Sequence, residues 1–153
     1  MKTLLAVIII SLSVSCTAKK ETNTSSFLPI NGTWQLISGT LIEKGDTVIT
    51  DYRKKLSFIK IINDTHFAFL QHDLTKGKGT DSSYSSGGGS YTIKDSLYTE
   101  HLEYCSARNW EGNDFTFTVT IQNDTLVQRG MEKIEGLGVN RLNIEKYFRL
   151  KND

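Results

Sequence analysis

The side chains with the greatest chemical potential in this 153-residue chain are two carboxylates and a group of tyrosines set in strand-like sequence. Glu100 and Glu145, if both face one interior, form a carboxylate pair whose burial and mutual repulsion raise a pKa, the starting point for acid–base work. The structural use of Glu145 is instead a salt bridge to Arg149. Tyr91, Tyr98, Tyr104 and Tyr147 combine an apolar body with a hydroxyl tip, which suits a pocket that is mainly apolar with a few convergent polar groups. Their plainer use is as half-buried strand aromatics.

Metal and nucleophile chemistry has less to build on. His66 and His72 share a strand face but lie about 20 Å apart at roughly 3.3 Å per residue, too far to hold one ion. His101, Glu103 and Cys105 follow one another at about 6.6 Å on one face; that spacing suits either a strand-borne metal or a solvent-facing row beside a buried thiol. No Gly-x-Ser-x-Gly, Gly-x-x-x-x-Gly-Lys or Gly-x-Gly-x-x-Gly occurs, and Gly77-Lys78-Gly79 and Gly136-Leu137-Gly138 lack a third glycine and a following helix. These absences favour binding over catalysis, with no cofactor and no metal.

The elements that position these residues are strands. Ile61-Ile62-Asn63-Asp64-Thr65, Thr92-Ile93-Lys94-Asp95-Ser96-Leu97 and Ile121-Gln122-Asn123-Asp124-Thr125-Leu126 each run an apolar stretch into a short Asp-containing turn and out again. Asn and Asp tolerate the positive φ of type I′ turns, so each site predicts a tight hairpin. Strands follow at about 55–62, 65–72, 90–94, 97–105, 114–122 and 125–131, with two more at 33–42 and 47–52 and a last at 141–150. Nothing carries a strong helical period. A meander of that many strands must deal with two bare edges, so the expected fold is all-β, a closed up-and-down antiparallel barrel of about eight to ten strands, with a two-sheet sandwich as the alternative. The stretches 73–89, ending in Gly87-Gly88-Gly89, and 132–140 read as mobile loops able to gate a barrel mouth or simply as exposed slack.

Composition and the N-terminus address location. Met1-Lys2, the apolar run 4–10 and the small residues 11–15 read as a signal peptide, too short for the roughly 20 apolar residues of a membrane span. Thr17 to Pro29 is polar and tether-like. The expected organisation is a leader at 1–15, an anchor and tether at 16–29 and one barrel domain at 30–153. Loss of the leader removes Lys2 alone from 18 Lys and Arg, leaving 17 against 17 Asp and Glu. With no net field and no aromatic-interleaved basic stripe, nucleic acid is not an expected partner. If Cys16 is modified, Cys105 is the one remaining thiol and no internal disulfide forms.

Two resemblances sharpen the reading. Ser13-Val14-Ser15-Cys16 resembles the cleavage box of bacterial lipoproteins, with Leu12 one place further from the cysteine than usual, which implies acylation of Cys16 and a membrane-anchored protein facing the periplasm or the cell surface. An ordinary secretory signal ending near a cysteine is the alternative. Gly32-x-Trp34, Gly87-Gly88-Gly89-Ser90-Tyr91, Tyr98-Thr99-Glu100 and Glu145-x-Tyr147-x-Arg149 together resemble, over about 30–150, the lipocalin-like domains of unknown function found in bacterial lipoproteins. That likeness implies a calycin-type barrel closed by Trp34 beneath Arg149 in cation–π contact, and the binding of a small, largely apolar molecule. The Arg-x-Tyr carboxylate clamp of fatty-acid carriers and the paired cysteines of secreted lipocalins are both missing. By strand parity Glu145, Tyr147 and Arg149 then face inward, and Tyr98, Glu100 and Tyr104 are the preferred inward set on their strand. The expected function is binding of a small hydrophobic or amphipathic ligand through Tyr91, Tyr98, Glu100, Tyr104, Glu145 and Tyr147. The alternatives are a filled barrel acting as a protein-interaction module and a small isomerase or hydrolase using Glu100 or Glu145.

Overall fold

The alternating sequence folds so that the strands closing the barrel each hide one face. The computed structural model describes residues 28–151 and contains ten strands: β1 (Gly32–Glu43), β2 (Asp46–Asp51), β3 (Leu56–Ile62), β4 (His66–Asp73), β5 (Tyr84–Lys94), β6 (Leu97–Leu102), β7 (Tyr104–Cys105), β8 (Asn113–Gln122), β9 (Thr125–Ile134) and β10 (Val139–Leu150). All pairings are antiparallel, and β10 returns to pair with β1, so eight strands close a barrel. The two others extend it. β2 and β3 lie end to end along β1, which makes them one staggered strand broken at residues 52–55, and β7 continues β6 along β5. The predicted all-β, closed up-and-down barrel is therefore what forms.

Parity decides inside from outside. On β8, Phe115, Phe117 and Val119 are buried while Thr116, Thr118 and Thr120 are exposed; on β9, Leu126, Gln128, Glu132 and Ile134 are buried while Arg129 and Lys133 are exposed. Full burial of each such aromatic or aliphatic side chain contributes roughly 1.5–3 kcal/mol. No helix among the described residues is long and apolar enough to cross a membrane.

The turns follow the sequence in place more closely than in kind. Asp95 and Asn123 take φ of 55° and 54° at the first position of their two-residue turns, with no left-handed φ at the next residue, so neither is the doubly left-handed turn predicted. At residues 63–65 no positive φ is needed at all. Asn63 Oδ1 accepts from the backbone N–H of Thr65 and His66 at 2.9 and 2.8 Å and shapes the turn instead.

Three boundaries differ from expectation. Gly87-Gly88-Gly89 is the middle of β5, not a mobile loop, because a Cβ on Gly88 would lie 2.5 Å from the Phe67 carbonyl oxygen and one on Gly89 2.0 Å from that of His101. Only glycine lets β5 run that close to both neighbours. The loop shrinks to 74–83 and is tied to Asp73, whose carboxylate accepts from the backbone N–H of Gly77 and Ser83 and from the Thr75 hydroxyl. Those hydrogen bonds hold the Asp73 carboxyl well below its ordinary pKa. The second expected loop narrows to a single 3-10 turn, Glu135–Leu137, since β9 runs on to Ile134 and β10 begins at Val139. At the start, Ile30 is buried as the first residue of the expected barrel domain, and Leu28, within the stretch expected as tether, also packs on the core.

Candidate functional site

One end of the barrel is sealed by the residues predicted to seal it. The Arg149 guanidinium lies 4.0 Å from the centre of the Trp34 ring, and Trp34, wholly buried, donates its indole N–H to the Ile30 carbonyl at 2.7 Å. Arg149 also donates to the carbonyls of Pro29 and Asn31, which straps the incoming chain across the barrel floor. Gly32 is part of this device. Its φ is +138°, and a Cβ there would sit 2.6 Å from an Arg149 nitrogen. The expected Arg149–Glu145 salt bridge does not form, since Arg149 is taken by backbone carbonyls near the floor.

Above the floor the interior turns polar. Lys60 of β3 is buried with only 4% of its side chain exposed, and its Nζ donates to Glu100 Oε1 at 2.7 Å and to Gln128 Oε1 at 3.2 Å. Glu145 Oε2 lies 4.0 Å from the same Nζ and accepts the Tyr147 hydroxyl proton at 2.7 Å. The Lys60 ammonium also sits 5.3 Å from the Tyr147 ring centre. Burial pulls the Lys60 pKa down, but the Glu100 and Glu145 carboxylates outweigh it and leave the value raised. For Glu100 burial dominates: its pKa is raised despite Lys60. Burial, with the neighbouring carboxylates, lifts the phenols of Tyr98 and Tyr147 far above their ordinary range. Among the described residues the Tyr98 hydroxyl is the one buried side-chain polar atom without a hydrogen-bond partner; Glu100 is near enough to affect its titration but not in bonding geometry.

Toward the other end a cavity of about 240 Å³ opens, lined by Lys60, Glu100, Gln128, Glu132 and Glu145 and walled by Phe58, Phe69, Leu102, Phe115, Phe117 and Trp110. Its rim includes Ser85, Cys105 and Ala107. Glu132 is held by Arg141 Nε at 2.6 Å and Asn143 Nδ2 at 2.7 Å, and the Arg141 guanidinium in turn lies 5.3 Å from the Trp110 ring centre.

The structure distributes the six proposed binding residues unequally. Glu100 and Glu145 line the cavity; Tyr98 and Tyr147 are fully buried beside them, and Tyr147 donates to Glu145 from behind. Tyr91 packs on Tyr98 with ring centres 5.0 Å apart and donates to the Asn63 carbonyl at 2.7 Å, at the sealed end rather than in the cavity. Tyr104 is 69% exposed and faces outward. The register explains it: Tyr91 faces Glu100 on β5–β6, but Gly88 faces Tyr104 on β5–β7, a shift of one residue at Glu103. That bulge turns Cys105 inward and Tyr104 outward. It also separates the row His101, Glu103 and Cys105. His101 pairs with Asp114 at 2.8 Å, Glu103 accepts from Ser90, and no group of three or more ligating side chains among the described residues is arranged for a metal.

Lys60, Gln128 and Glu132 are the site residues that the sequence did not reveal. The run Phe58-Ile59-Lys60-Ile61-Ile62 is apolar on both parities, so its lone lysine reads as an outward residue. The usable signal was Phe58 and Ile62, two places either side of Lys60 and bound to share its face. In comparisons with known proteins the sequence matches no family profile and no curated protein.

Proposed function

We propose that this chain is an exported, lipid-anchored barrel that holds one small amphipathic molecule and works by binding rather than catalysis. The observation that carries the reading is the cavity of about 240 Å³, with aromatic walls around a cluster of charged and amide side chains. A dry cavity of about 150 Å³ admits benzene, so the space suits one ring bearing a short polar substituent. Mixed lining of this kind is what ligand pockets use to combine affinity with orientation. The resemblance to lipocalin-like lipoprotein domains supports the same reading by analogy of fold. The void counts against a barrel filled by its own side chains, and the tie of Glu100 to Lys60 leaves that carboxylate poorly placed as a free base.

Anchoring rests on Cys16, which lies outside the described residues; Ser13-Val14-Ser15-Cys16 and the polar stretch after it support acylation and a periplasm-facing or surface location. Labelled palmitate is expected in the protein and not in Cys16→Ser; equal labelling of both rejects the anchor. For binding, mass spectrometry of small molecules carried by the protein from its native host, with displacement of a fluorescent amphiphile at micromolar concentration, is the direct test. Failure to bind any probe of cavity size, with the fold intact, removes the binding reading.

A further inference from the structure

The charges around the cavity do not balance. Glu100, Glu132 and Glu145 line it against Lys60 alone. Arg141 stands behind Glu132, which it holds at 2.6 Å. Lys60 is committed to Glu100 at 2.7 Å and reaches Glu145 only at 4.0 Å. Glu145 is thus the carboxylate without a cation of its own. Its Oε2 takes the Tyr147 hydroxyl, and its Oε1 receives no hydrogen bond among the described residues. An anionic head entering here would have to displace Glu100 from Lys60 and would face two more carboxylates. A cationic head meets one unneutralised carboxylate, with Phe58, Phe69 and Phe115 walling the same space and offering ring faces to an apolar body or an ammonium.

We propose, building on the binding reading above, that the cavity selects a cationic amphiphile: a protonated amine on a body about the size of one aromatic ring, its ammonium directed at Glu145. This ligand class is the opposite of the fatty-acid type, and it accords with the absence of an inward arginine clamp, since Arg149 is spent on the floor and Arg141 on Glu132.

Calorimetric titration of the full chain at pH 7 with 2-phenylethylamine, 2-phenylethanol and 3-phenylpropionate, near-isosteric probes that differ in charge, tests it. The amine is expected to bind at least tenfold more tightly than the alcohol, equivalent to about 1.4 kcal/mol, and the acid more weakly than the alcohol. Glu145→Gln should abolish the preference for the amine, so that amine and alcohol bind that variant alike, and Glu145→Asp, which keeps the charge, should retain the preference. Equal binding of amine and alcohol, or tightest binding of the acid, overturns the inference and leaves the cavity reading standing. An amine preference that survives Glu145→Gln overturns the assignment to Glu145. If none of the three binds, the cavity reading falls and takes this inference with it.

Discussion

Lys60 is the residue on which the barrel interior depends electrostatically. It is the single cation among Glu100, Glu145 and Gln128, and its side chain is almost wholly removed from water. Removing one member of such a pair strands the other, so Lys60→Met is expected to destabilise by about 3–5 kcal/mol, and the double change Lys60→Met with Glu100→Gln to restore much of that. Urea midpoints of the two variants check it; a double variant no more stable than the single one would show that the pair does not matter. A pH signature accompanies the cluster. The Glu100 pKa is raised in the folded chain, so the folded state holds that proton more tightly than the unfolded one. The stability this supplies is present below the ordinary value of 4.5 and is lost as pH climbs through the folded value. Relative to wild type, Glu100→Gln should therefore gain stability as pH rises from 4.5 toward neutrality, and a difference between the two that stays flat with pH contradicts this. Glu100, Glu145 and Tyr147 were legible from parity. Lys60 was not, because an isolated lysine within an apolar run is read as solvent-facing unless its same-face neighbours are weighed.

The closing element joins sequence and structure most directly. Gly32, Trp34 and Arg149 lie at opposite ends of the domain and meet because β10 pairs with β1, Trp34 opposite Arg149. Trp34 and Arg149 could be assigned in advance through the resemblance to lipocalin-like domains, and closure of a barrel, which requires its first and last strands to be neighbours, gives that pairing its physical sense. Arg149→Ala is expected to cost roughly 1–3 kcal/mol through lost stacking and the freed carbonyls of Pro29 and Asn31, and Trp34→Ala about 3–5 kcal/mol. Gly32→Ala should also destabilise, by backbone strain at φ +138° and by collision with the guanidinium. Because the collision needs both partners, Gly32→Ala should cost less in an Arg149→Ala background. Strict additivity of the two changes would mean that the glycine does not serve the arginine. β5 and β7 mark the limit of such reasoning. Three glycines look like slack when only local propensity is considered, and their role as spacers appears only once β4 and the Glu103 bulge are in place beside them. A one-residue bulge leaves no composition signal, yet it inverts every assignment beyond it, and Tyr104 is the residue it turned outward.

At the scale of the molecule the barrel has two ends with different physical jobs. The floor is close-packed around Trp34, Tyr98, Leu126 and Phe67, while the other half surrounds a void of about 240 Å³. Interiors packed to crystal-like density resist added volume, whereas a void accepts it, so the same substitution should behave differently at the two ends. Leu126 and Leu102 are both buried, at 1% and 5% exposure, but only Leu102 lines the cavity. Leu126→Phe is expected to force its neighbours apart and cost about 1–3 kcal/mol. Leu102→Phe should remain within about 1 kcal/mol of wild type, since its extra atoms enter empty space, and should weaken a ring-sized probe by filling that space. Thermal unfolding and probe titration of both variants separate the cases. Equal destabilisation by the two would mean that the upper half is as tightly filled as the floor, and a barrel filled throughout would have to act through its outer surface instead.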